Sequence, residues 1–144
     1  MSPLAAALVL AGIALVAVLA GLALRRGQGR ARRGGHGAIS SRELGIEAGA
    51  FGERATLLQF STEVCAKCPA TRRLLADVAA SRPGVRHVDV DLTHRPDLAR
   101  RFRVLQTPTV LVLDGAGAPH ARIGGAPPRA TVIAELDRIG GVHV

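Results

Sequence analysis

Thr56-Leu57-Leu58-Gln59-Phe60-Ser61-Thr62-Glu63-Val64-Cys65-Ala66-Lys67-Cys68-Pro69-Ala70-Thr71-Arg72-Arg73-Leu74-Leu75 is a hydrophobic run, a short polar turn, a cysteine pair and a helical pattern. It reads strand, loop, helix. The chain has 2 cysteines, and both lie here at a spacing that lets one thiol attack a disulfide formed by the other. At the start of a helix, unpaired N–H groups and the positive end of the helix dipole stabilise a thiolate. Cys65, at the exposed helix start, is the expected nucleophile. Cys68, one turn in, is expected to resolve the mixed disulfide by attacking Cys65. Lys67 is the only lysine of the chain and sits between them. Either its charge lowers the thiol pKa, with Glu63 opposing it, or it is a solvated side chain with no tuning role.

Further along, Leu105-Gln106-Thr107-Pro108-Thr109-Val110-Leu111-Val112-Leu113 places a proline directly ahead of an apolar strand. With the cysteine pair upstream, this resembles the thioredoxin superfamily, from about Thr56 to Gly141, in a membrane-anchored form. The resemblance implies an α/β thioredoxin-like fold, a mixed central sheet with flanking helices. It also implies that Pro108 is cis and packs beside the cysteines, and that the Thr107 backbone is free to pair with an incoming peptide as an added strand. Gly124, of Gly124-Gly125, corresponds to a glycine that lets substrate approach closely; a plain turn before Pro127-Pro128 is the other reading. The implied activity is protein-disulfide reduction by dithiol exchange, with no cofactor beyond the Cys65–Cys68 disulfide. Its implied partners are protein disulfide substrates and an upstream reductase or other electron donor. Two positions depart from the family pattern. Val64 stands where a tryptophan commonly precedes the first cysteine, and Gln59 stands where the family carries a buried aspartate that accepts a proton. Gln59 cannot titrate, so Cys68 must lose its proton to water or to the substrate's leaving thiolate. The Cys-x-x-Cys-x-Ala-Thr run is also similar to small glutaredoxin-like proteins.

At 144 residues the chain has room for one small domain and an appendage. Leu4 to Leu24 carries no charge and, at ~1.5 Å per helical residue, just spans a hydrocarbon core of ~30 Å. A cleaved signal peptide wants a basic residue ahead of the apolar run, but Met1-Ser2-Pro3 has none, and Arg25, Arg26, Arg30, Arg32 and Arg33 follow it instead. We read residues 1–24 as an uncleaved transmembrane helix, 25–38 as a basic, flexible Gly/Arg-rich linker and 39–144 as the thioredoxin-like domain. The arginines place that domain on the cytoplasmic side of a bacterial plasma membrane, where it acts as a reductant. An extracytoplasmic domain, reducing apocytochrome cysteines or servicing secreted disulfides, is the alternative.

Those five arginines belong to 19 basic residues; the remaining 14 stand against 11 acidic ones, so the domain is only mildly basic. With no Tyr, no Trp and no groove-reading motif, nucleic acid is not an expected partner. Membrane lipid, at residues 4–24 and through anionic headgroups at the basic linker, is. Zinc needs four ligands, and His87, His94 and His120 lack finger-like spacing. A structural disulfide across three residues closes almost no loop. A non-catalytic thioredoxin-like adaptor or redox sensor is the remaining alternative to an enzyme.

Periodicity supplies the other elements. Ser40 and Glu43 resemble a capping box with a helical turn near Leu44. Thr56 to Phe60 reads as a buried strand and Cys65 to Ala80 as a helix, stopped by Arg82-Pro83-Gly84. A strand over Val85–Val90, a short helix over Pro96–Phe102, a hairpin of Thr109–Leu113 with His120–Ile123, and a closing helix over Pro128–Ile139 follow. The residues between Gly45 and Glu53 leave scant room for the strand and helix that usually open the fold.

Overall fold

The computed structural model describes residues 2–27, 29–32 and 37–141. A long helix, α1 (Pro3–Gly27), is followed by a two-residue strand β1 (Ala31–Arg32), a single helical turn α2 (Ser41–Leu44) and the strand β2 (Ala55–Ser61). Then come α3 (Cys68–Ala80), β3 (Val85–Asp91), α4 (Pro96–Arg101), β4 (Thr109–Asp114), β5 (Pro119–Gly124) and α5 (Arg129–Gly140). The sheet order is β1-β5-β4-β2-β3. Only β2 and β3 run parallel, joined through α3; the other pairs are antiparallel. This is a thioredoxin-like α/β fold.

Strand β2 is the axis of the core, buried at every position from Ala55 to Ser61. A strand alternates its side chains between two faces, and here both are covered, which is why the run reads as continuously apolar. Leu58 and Phe60 join Leu44, Leu98, Phe102 and Leu111 on one face, with the Phe60 and Phe102 ring centroids 5.3 Å apart. Leu57 packs with Leu75, Val78, Val110, Val132 and Leu136 on the other, under α3 and α5. Burying one such leucine stabilises the fold by about 1.5–3 kcal/mol.

The Ser40 capping reading holds in geometry: its Oγ accepts from the Glu43 N–H at 3.3 Å, while the Glu43 carboxylate reaches Arg101 of α4 at 2.8 Å. Two expectations need correction. Helix α3 begins at Cys68, not Cys65, because Pro69 has no N–H to give and fits only the first turn; Cys65 lies in the preceding turns closed by Cys65 N–H to Thr62 O and Cys68 N–H to Cys65 O. The linker over 25–38 is not all free tether. Helix α1 continues through Arg25 and Arg26, and β1 pairs Ala31 with Ile123 and Arg32 with Arg122. The outer edge of β5 would otherwise present unpaired N–H and C=O groups, and Ala31 packs onto the core there. Glu135 lies on the buried side of α5 among the apolar positions, where it pairs with Arg138 and sits 3.9 Å from His120.

Among the described residues, β1 and α2 are the regular elements between α1 and β2, in place of a full leading strand and helix. Helix α1 is long and apolar enough to cross a membrane, with its hydrophobic side chains exposed.

Candidate active site

The parallel β2–β3 pair and α3 form the frame of the site: β2 ends at Ser61, a turn carries the chain past Cys65, and α3 starts at Cys68. Cys65 and Cys68 form a disulfide with a Cα–Cα distance of 5.4 Å. Their environments differ. Cys65 is half-buried and faces a shallow groove of about 370 Å³, whereas Cys68 is only 2% exposed. A substrate sulfur can reach the first and not the second.

The second wall of the groove is the loop ahead of β4. The Thr107–Pro108 peptide bond is cis, as the sequence comparison implied, and Pro108 is buried behind Thr107. The hydroxyls of Thr62 and Thr107 lie 3.1 Å apart, tying the turn before Cys65 to this loop across 45 residues of sequence. Pro108 O accepts from Gly125 N–H at 2.8 Å, and Thr109 Oγ1 donates to Gln106 O at 2.7 Å. Among the described residues no hydrogen bond occupies the Thr107 backbone. Such a backbone can add a peptide strand.

Gly124 does not line this groove. A Cβ there would stand 2.5 Å from Gln106 Nε2, so Gly124 leaves room for the Gln106 side chain, and its carbonyl accepts from Gly29 N–H at 2.8 Å. The glycine on the groove is Gly125, at φ 85°, a conformation glycine adopts without strain. Lys67 lines the groove as an exposed side chain at the N-cap position of α3. Two apolar side chains are each 94% exposed, Val64 on the groove and Leu105 in the loop ahead of β4; the sequence reading noted Val64 only as a departure from tryptophan and passed over Leu105. The signal available was apolar residues set in polar loops directly beside Cys65 and the Pro108 loop.

Beneath Cys68 the floor is polar. Gln59, fully buried, donates from Nε2 to the Cys68 carbonyl at 3.1 Å, and its Oε1 lies 3.1 Å from His87 Nε2 on β3. His87 was considered in the sequence only as a metal ligand; its place beside Gln59 follows from the parallel register, which sets Leu57 beside His87 and Gln59 beside Asp89. Burial pushes the His87 imidazole below its ordinary value, opposed by Asp89 and aided by Arg72.

Residues 49–138 match the thioredoxin family model. The chain belongs to the thioredoxin family. A thioredoxin from Mycolicibacterium smegmatis is 33% identical over 86 residues, covering 58% of this chain and 76% of that protein. Among solved structures, a chloroplastic thioredoxin z superposes with a TM-score of 0.59 at 26% identity, covering 72% of this chain and 93% of that one. The oxidised mitochondrial thioredoxin 3 of Saccharomyces cerevisiae gives 0.51 at 26% identity, over 59% and 79%. Thioredoxin membership and the Cys65–Cys68 disulfide make the chain a thiol–disulfide oxidoreductase whose redox group is that disulfide. Thioredoxins act on protein disulfides and are recharged by a reductase. Among the described residues no three His, Cys, Asp or Glu side chains are grouped to hold a metal ion.

Proposed function

We propose that this thioredoxin is a single-pass membrane-tethered protein-disulfide reductase with its redox domain on the cytoplasmic side. The observation that carries the redox assignment is the half-buried Cys65 beside the open Thr107 backbone, with Cys68 enclosed behind it. The Cys65 thiolate attacks one sulfur of a substrate disulfide, forming a mixed disulfide and releasing the other substrate sulfur as a thiolate. Cys68 then gives its proton to water or to that thiolate and attacks Cys65 Sγ. The second substrate sulfur leaves, so the substrate gains two electrons and the Cys65–Cys68 disulfide forms. Thr107 and Pro108 shape the groove, Lys67 adds positive charge beside it, and Val64 with Leu105 offers apolar contact to a polypeptide. An upstream dithiol donor returns the pair to the reduced state.

Tethering rests on α1 and on the positive charge at its end. Arg25 and Arg26 close the helix, and Arg30, Arg32, Arg103 and Arg122 line a hollow of about 570 Å³ beside Ala23 and Leu24. Among the described residues none of these six has a carboxylate partner. Apolar helix followed by arginine favours retention of the basic end on the cytoplasmic side, against anionic headgroups. The test is labelling of Cys65 and Cys68 with a membrane-impermeant maleimide after mild reduction, in intact and then permeabilised cells. Labelling only after permeabilisation supports the proposal; labelling in intact cells moves the domain, and its substrates, outside.

A further inference from the structure

The Cys68 carbonyl can only accept a hydrogen bond, so the atom of the Gln59 amide that faces it at 3.1 Å is the NH2. The amide oxygen must then face His87, and the ring nitrogen 3.1 Å away, Nε2, must carry a proton and donate it. A turned amide would set two acceptors against each other at Cys68. We propose that His87 is a positioning residue for the resolving step, holding the Gln59 amide with its electropositive end toward Cys68. This rests on the dithiol chemistry of Cys65 and Cys68, and is independent of where the domain is tethered.

The consequence falls on Cys68 rather than Cys65. The buried Cys68 must become a thiolate to attack, and burial disfavours that charge. With no carboxylate at Gln59, the oriented amide dipole adds to the N-terminus of α3 in favouring it. The Gln59 Nε2 makes no other hydrogen bond among the described residues, so its second N–H is uncommitted in the disulfide state. Protonation of His87 keeps the Nε2–H donor and adds positive charge behind Gln59, which favours the thiolate further. The charged groups acting on His87 are Asp89 on its own strand and Arg72 on α3, which are ion-paired to each other; β2 presents the neutral Gln59. Resolution is therefore less impaired by acid than an isolated buried thiol would be.

The test uses the full chain, reduced, in detergent, against a symmetrical aromatic disulfide with a coloured thiolate. Attack by Cys65 releases the first coloured equivalent, and resolution by Cys68 releases the second, so each step is read separately. In His87→Leu the first release is expected to stay at the wild-type rate while the second slows about five-fold, the equivalent of one ordinary hydrogen bond. His87→Gln carries an amide donor without the titration, so its second release should stay within about two-fold of wild type near neutral pH. As the pH falls through the lowered His87 value it should fall away faster than wild type, because it gains no charge there. An unchanged second release in His87→Leu, or His87→Gln as slow as His87→Leu, overturns the proposal. If His87→Leu does not fold, matching wild-type and His87→Gln pH profiles overturn it alone. Loss of the first release from wild type would count against the dithiol reading itself.

Discussion

The hydroxyls of Thr62 and Thr107 meet at 3.1 Å and join the two walls of the redox groove. One belongs to the turn that leads into Cys65 and the other to the residue ahead of Pro108, Thr107, whose backbone carries no hydrogen bond among the described residues. Neither cysteine touches this bond, yet it sets the width of the space between them and the Pro108 loop. Replacing either threonine with valine keeps the shape and removes the bond. Thr107→Val should cost about 0.5–1.5 kcal/mol of stability and raise KM for a protein disulfide more than it lowers kcat. Thermal unfolding and steady-state kinetics check the two parts.

Val64 and Leu105 are almost fully exposed although apolar; Val64 directly precedes Cys65, and Leu105 stands next to Gln106, which lines the groove. Exposed apolar side chains at a reactive sulfur favour docking of a polypeptide over a small molecule. Val64→Ser combined with Leu105→Ser should reduce kcat/KM for a protein disulfide by roughly ten-fold, since about 0.8 kcal/mol is lost per buried CH2 on each side chain. Turnover of a small aromatic disulfide should change little. Equal losses on both substrates would refute the docking role.

Leu75 is fully buried between α3 and the sheet, packed with Leu57 and Val78. Leu75→Ala should lower stability by about 2–5 kcal/mol through the cavity it leaves. Because α3 carries Cys68 at its first residue, the same variant should make the disulfide easier to reach by reductant. Denaturant unfolding and the rate of reduction by a small dithiol measure the two effects.

The His87 imidazole is held below its ordinary value, chiefly by burial. The unfolded chain therefore binds a proton at His87 more readily than the folded one. His87 leaves stability undiminished above the ordinary histidine pKa, and stability falls as pH drops from there through the folded value. As pH falls from about 6.5 through the lowered folded value, wild type should lose stability that His87→Gln retains. Asp91 and Asp97, held low by Thr93 and Arg95, act in a separate window: their contribution is present above the ordinary carboxylate range and lost only as pH falls through their lowered values. Denaturant midpoints for both proteins, followed from above the histidine range down through the lowered carboxylate values, separate the two.

Much of this molecule follows from neighbours along the chain. The cysteine spacing, the apolar run of β2, the α3 periodicity, the Ser40 cap and the charge-free α1 all depend on residues within a few positions of one another, where covalent geometry and helix or strand period act directly. Cys65 and Cys68 were legible for that reason. What the tertiary structure decided are the contacts between distant segments. Thr62 meets Thr107 across 45 residues and His87 meets Gln59 across 28, through strand register that no local pattern encodes. The same register puts Gly125 rather than Gly124 on the groove and gives Ala31 and Arg32 a place on the edge of β5. It also separates an accessible cysteine from an enclosed one, because exposure belongs to the assembled surface and not to the spacing.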